Sequence, residues 1–296
     1  MNFKQIYSIN ASMAAYVVGD VLVKSLGQFY PAVEVIFWRS FVIACGFGLV
    51  LAIKGKLFSK HFLSWALLAR CAFDCVNAFS FVLALVHIDI AEIYAILLTA
   101  PFLMTILAII FLKEPVGWRR WLAIIGGFGG SLLIIKPSAQ GFNYWAAVGL
   151  VAALTAALRD FVTTKIHPET SAFEVTLSSA LFTAAAGFLV GIGQVWKPVA
   201  AYDAFFLVAL AAASLIGTVL LVYACRIGPL FIAASFRFML LVWGGFAGYF
   251  VFGNVPDLSS LLGAAIIVIC ALYIFYREAV RQRAIASALP AGGGVT

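Results

Sequence analysis

Apolar residues along this chain neither alternate nor follow a narrow helical stripe. They run in unbroken stretches of about 20, parted by short polar punctuation. A helix of that length crosses ~30 Å of hydrocarbon at ~1.5 Å per residue. Ten such stretches can be placed, at 5–26, 32–53, 62–86, 89–112, 119–136, 143–165, 172–193, 203–225, 229–252 and 259–276. The pattern predicts an all-α membrane protein of ten transmembrane helices whose loops are too short to hold a soluble domain.

Composition agrees: 65% of residues are hydrophobic, 10% are charged and the mean hydropathy is +1.10. The net charge of +7 is spread in small clusters beside apolar runs, with no basic stripe, which excludes a nucleic-acid partner and leaves the basic residues as topology signals. With a cytoplasmic N-terminus, twelve Lys and Arg fall on the cytoplasmic side and three, Lys24, Lys136 and Lys197, on the other. Both termini are therefore predicted to be cytoplasmic. The run from Ile6 to Leu26 is too long for a signal-peptide core and is read as the first span. The five cysteines lie in apolar segments, and Cys71 and Cys75, one turn apart, read as small buried hydrophobes. No metal, redox group or cofactor is predicted. The tail from Arg281, basic and then Gly-rich, reads as disordered.

A shift of 140 residues lays "GDVLVKSLGQFYPAVEV" from Gly19 over "RDFVTTKIHPETSAFEV" from Arg159, so that Asp20 meets Asp160 and "AVEV" meets "AFEV". Pro115 meets Pro256 at a shift of 141. Two units, 1–137 and 138–278, each hold five predicted spans, followed by a tail at 279–296. An odd number of spans per unit turns the second upside down relative to the first. Inverted repeats of this kind suit a secondary transporter, whose halves exchange inward-open and outward-open states. No G-x-x-x-x-G-K-[ST] run supports an ATP-driven pump, and no H-E-x-x-H, D-x-x-D or serine elbow supports an enzyme.

Charges inside the spans direct attention to a site. Arg70, Asp74 and Asn77 share one face of the third span, with Asp74 about 18 Å from its cytoplasmic end at ~1.5 Å per residue. Such a face should border a polar cavity. Two structural alternatives stand beside that reading: an architectural Arg70–Asp74 pair and a helix-to-helix bond from Asn77. Phe73, Phe79 and Phe81 flank this face, and the fourth span adds Tyr94, Thr99 and Pro101, which is expected to kink it and serve as a hinge. Thr155, Ser214, Thr218, Ser235 and Trp243 are candidates for the opposite wall, though Ser and Thr also commonly bond their own helix. A few polar groups between aromatic walls suit a small amphipathic cargo such as a neutral or aromatic amino acid. Asp20 and Lys24, one turn apart, read as an interfacial ion pair or outer gate; Asp160 and Arg237 are candidates for the inner mouth. Asp74, the one deep carboxylate of this reading, permits a proton as coupling ion without requiring it. The Gly126/Gly130, Gly187/Gly191 and Gly244/Gly248 spacings mark close helix packing, within a monomer or between two.

The stretches "AEIYAILLTAPFLMTILAIIFLKEPVGWRRWLAIIGGFGGSLLIIKP" (91–137) and "FVFGNVPDLSSLLGAAIIVICALYIFYRE" (250–278), with Arg39 in "VEVIFWRS", resemble the EamA repeats of the drug/metabolite transporter superfamily in its ten-helix form. The sequence departs from that pattern at Asn254, where glutamate is frequent, and at Ser235, where proline is frequent. The resemblance implies export of small metabolites, amino acids among them, across a bacterial inner membrane.

Overall fold

The computed structural model describes residues 3–53, 55, 64–112, 118–135, 144–167, 169–227 and 239–288. Among these are eleven helices and no strand: α1 (Phe3–Leu26), α2 (Ala32–Ile53), α3 (Trp65–His87), α4 (Ile90–Leu97), α5 (Ala100–Leu112), α6 (Trp118–Ile135), α7 (Tyr144–Thr163), α8 (Ala172–Gly191), α9 (Ala201–Ile227), α10 (Met239–Phe252) and α11 (Leu258–Ala288). Six of them, α1, α2, α3, α7, α8 and α9, are long and apolar enough to cross a membrane; α10 and parts of α6 and α11 form shorter apolar helices. The protein is a multi-pass membrane protein.

Local chemistry starts two helices sharply. Ser64 accepts from Leu67 N at the head of α3, and Ser171 accepts from Glu174 N at the head of α8, where S-x-x-E has capping-box spacing. The predicted fourth span is interrupted: α4 ends at Leu97 and α5 begins at Ala100. Pro101 has no N–H to give the Leu97 carbonyl, so the helical ladder breaks one turn before the proline, and Thr99 Oγ1 donates to Ile96 O at 2.7 Å. The last helix exceeds its prediction, continuing to Ala288 through residues expected to be disordered.

Burial is inverted relative to a water-soluble protein. Large side chains such as Phe250, Leu262, Val208 and Ile269 stand exposed, as lipid-facing residues do, whereas Ser12, Asp20, Lys24, Glu34, Thr155, Glu174, Ser178 and Ser179 are buried. The inner face of α7 consists of small residues, Ala146, Gly149, Ala152, Ala153, Ala156 and Ala157, which lets α3, α4 and α5 approach it closely. The principal helix pairings are α1 with α9, α3 with α7, α2 with α8 and α6 with α11; smaller contacts join α10 to α1 and α4, α3 to α8, α2 to α9, and α5 to α7.

Candidate functional site

Two charged clusters lie within this packing. The first sits between α3, α7 and α8. Asp74 Oδ1 accepts from Arg159 Nη1 at 2.9 Å, and its Oδ2 lies 3.5 Å from Arg70 Nη1. Arg159 also grips Asp160 next to it, through Nε and Nη2, each at 3.0 Å. Arg70 donates to Thr163 Oγ1 at 3.1 Å and to Ser179 Oγ at 2.5 Å. The four charged side chains keep 15–32% of their surface, so helix packing encloses the cluster without sealing it. One turn along α3, Asn77 Nδ2 donates to the Ala152 carbonyl at 2.7 Å, adding a second polar link to α7.

The second cluster joins α1, α2 and α4. Asp20 is 8% exposed; its Oδ2 accepts from Tyr94 Oη at 2.6 Å and its Oδ1 lies 3.6 Å from Arg39 Nη2. Asp20 is thus a buried carboxylate, as are Glu34 and Glu174. Lys24 does not take the partner that one-turn spacing suggests: its Nζ donates to the Ile88 carbonyl at the end of α3 and lies 5.3 Å from the Phe252 ring centroid. A four-carbon stem reaches a free C-terminal carbonyl more easily than it folds back onto a buried acid already bonded to a phenol.

Links between the first and second halves continue around this cluster. Tyr30 Oη donates to Asp203 at 2.5 Å, and Lys197 Nζ donates to Phe29 O at 2.6 Å. Tyr30 lies between α1 and α2, and the carboxylate accepting from it raises its phenol pKa above the ordinary value. Asn254 donates to Asp89 Oδ1, which gives the asparagine there a physical reason: a glutamate would bring a second carboxylate against Asp89.

The other candidates divide. Tyr94 is buried against Phe81, with ring centroids 6.5 Å apart and its hydroxyl held by Asp20. Phe73 is half-buried beside Asp74. Thr155 donates to Val151 O and Ala152 O, and Thr218 to Ser214 O, so both hydroxyls bond their own helix; Thr218 also meets Tyr16 Oη at 3.1 Å. Trp243 Nε1 donates to Asn10 Oδ1 at 2.8 Å, tying α10 to α1. Arg237 and Ser235 fall outside the described residues, and Pro101 lies in the first turn of α5. Sequence reasoning missed Arg159 as the main partner of Asp74, and missed Ser179 and Asn10. The signal for Arg159 was its place beside Asp160, opposite Gly19 in the repeat.

Residues 4–136 match the EamA-like transporter family. The chain is 28% identical over 273 residues to an S-adenosylmethionine uptake transporter of Rickettsia bellii, covering 90% of this chain and 91% of that protein. The first part of the chain thus carries the EamA-like match, and nearly the whole chain is similar to transporters. Similarity extends along the chain: it is 24% identical to the pseudopaline exporter CntI of Pseudomonas aeruginosa, over 86% of this chain and 89% of that one. It is 26% identical to a riboflavin transporter of Rhizobium johnstonii, over 86% and 84% of the two chains. A solved crystal structure shares its fold, with a TM-score of 0.61 at 14% identity over 93% of this chain and 98% of that one. The homologues indicate a metabolite transporter.

Proposed function

We propose that the chain is a ten-span secondary transporter, built from inverted units 1–137 and 138–278, that exports neutral or aromatic amino acids across a bacterial inner membrane by alternating access. Both termini then face the cytoplasm. The helix pairings support the inverted repeat. A shift of about 140 residues sends α1 to α7, α2 to α8, α3 to α9 and α6 to α11, and takes the α4–α5 span to the region that holds α10. It exchanges the α1–α9 pairing with α7–α3 and returns α2–α8, α6–α11 and α4–α10 to themselves. That exchange is the behaviour of a two-fold axis relating the halves.

The observation that carries the site is the Asp74–Arg159 bond between α3 of the first unit and α7 of the second. A charge pair on a helix interface, partly wetted and linked to two more charges, is where cargo can enter and where the halves are held together. Phe73, Asp74 and Asn77 would contact the cargo from α3. Tyr94 would reach it only after leaving Asp20, and Thr155 only through its helix-bound hydroxyl. The cargo names of the relatives favour organic metabolites in general. One of those names includes methionine, in keeping with an amino-acid head.

Uptake of radiolabelled amino acids into proteoliposomes tests this reading, with Asp74→Ala beside the unaltered protein. Transport that the substitution abolishes is the expected result. No movement of any amino acid would reject the substrate class, and full transport by Asp74→Ala would reject the site. Counterflow and an imposed pH gradient in the same vesicles separate a proton-coupled exporter from a passive facilitator.

A further inference from the structure

The four charges between α3 and α7 have an order as well as a sum. Along the cluster they run Asp160, Arg159, Asp74, Arg70, alternating in sign and totalling zero. Three joints hold them. The Asp160–Arg159 joint lies within α7 and the Asp74–Arg70 joint within α3, so only the middle joint, Arg159–Asp74, crosses between helices. Each end is also anchored without the middle. Arg159 keeps both contacts to Asp160, and Arg70 keeps its bond to Ser179 of α8, while its bond to Thr163, at the end of α7, is a further α3–α7 link that must yield as the joint opens. The middle joint can therefore open while every charge retains a partner.

What enters the opened joint must satisfy two groups of opposite sign. A cation alone would bind Asp74 and leave Arg159 less compensated; an anion alone would do the reverse. Either would add net charge at membrane depth, which costs several kcal/mol per ion where the environment is poor in water. A zwitterion brings both signs and adds none. Its ammonium meets Asp74, its carboxylate meets the fork of Arg159, and the chain becomes six alternating charges instead of four.

Resting on the transport reading above, we propose that the Asp160–Arg159–Asp74–Arg70 chain is the recognition element for the zwitterionic head of an α-amino acid, which binds by replacing the Asp74–Arg159 bond. Replacement has a mechanical consequence. The charge pair between α3 and α7 becomes a bond from each helix to the cargo, so occupancy removes the strongest of several polar links between them, the Arg70–Thr163 and Asn77–Ala152 bonds being the others. Asn77, still bonded to the Ala152 carbonyl one turn deeper, limits how far the joint parts and defines the floor of the opening.

The test uses the full-length purified protein and measures binding by thermal shift and calorimetry. The common amino acids are screened first. The best binder is then compared with its decarboxylated amine and with the acid that lacks its amino group. The expected result is that both mono-ions bind about 100-fold more weakly than the zwitterion, the scale on which a partly wetted polar site rejects an analogue lacking one bonding group. Asp74→Asn should then bring the deaminated acid to within a few-fold of the zwitterion, because its preference against an uncompensated anion is gone; a merely structural loss would weaken both alike. Equal binding of all three molecules by the unaltered protein overturns the proposal and leaves the transport reading intact. Absence of binding by any amino acid overturns both. The comparison on the unaltered protein decides the matter even if Asp74→Asn does not fold.

Discussion

Gly244→Ala should be far more damaging than its neighbour Gly245→Ala. A Cβ placed at residue 244 falls 2.3 Å from Tyr94 Cδ2 and 2.8 Å from Cε2, both well inside the 3.4 Å at which ordinary contact begins. The ring has nowhere to go: Tyr94 is 2% exposed, packs on Phe81 and is fixed at its hydroxyl by Asp20. Crowding a filled interior costs about 1–3 kcal/mol, and dragging the phenol off a buried carboxylate removes a bond of about 1.5–3 kcal/mol. Against these stands a helix-propensity gain of about 1 kcal/mol for alanine over glycine. The balance is a loss of about 1.5–5 kcal/mol. Nothing lies within 4 Å of a Cβ at residue 245, so only the propensity gain remains there, and Gly245→Ala should be neutral or stabilising by up to about 1 kcal/mol. Reversible unfolding of both proteins by sodium dodecyl sulfate in mixed micelles, followed by circular dichroism, measures the difference. Tyr94→Phe in the same assay isolates the hydroxyl's share. Equal stability of the two alanine proteins would refute the argument that α4 and α10 meet through a notch that glycine leaves.

Three more outcomes follow from named contacts. Asp74→Asn and Arg159→Gln should each cost about 2–3 kcal/mol, below the usual 3–5 for a broken buried pair because both side chains are partly wetted. The double substitution should fall about 2 kcal/mol short of their sum, and additivity to within about 0.5 kcal/mol would show that the bond carries no coupling. Gly130→Ala sets a Cβ 2.8 Å from the Gly263 carbonyl oxygen, a backbone atom that cannot rotate away, and should cost about 3 kcal/mol, whereas Gly129→Ala, in open space, should be tolerated. Asn254→Glu should lower the Tm at pH 7 by facing Asp89 with a like charge. Added salt should screen that repulsion and shrink the loss; a salt-independent loss would point to packing instead.

Where a feature depends on neighbours in the chain, the sequence disclosed it. The second span is predicted at 32–53 and found at Ala32–Ile53, bounded by Pro31 and by Gly55 at φ 64°. The Arg70–Asp74 contact is also local, since helix geometry alone sets residues one turn apart together. The proline of the fourth span signalled an irregularity there, and the sequence left only its place unsaid: apolar residues run through the break without a change of composition, and the missing N–H acts a turn before the proline itself. Partners that depend on tertiary packing were hidden. Nothing local links Asp74 with Arg159, 85 positions away, or Trp243 with Asn10, 233 away. The Asp20–Lys24 expectation misled for the same reason: spacing made the contact available, but Tyr94 and the Ile88 carbonyl offered each group a better one.

The interruption at Leu98–Thr99 divides the α4–α5 segment between two sets of obligations. Above it, Tyr94 fastens α4 to the acid of α1 and the glycine notch of α10; below it, Ala100 and Leu107 of α5 lie against Ala156 and Ala157 of α7, the helix that carries Arg159. A rigid rod in that place would force any displacement of α7 on Asp20 as well. In the proposed transporter, a swivel at this break would let the two charge clusters change their neighbours one after the other, so that the barrier on one side of the bilayer could stand while the other gave way.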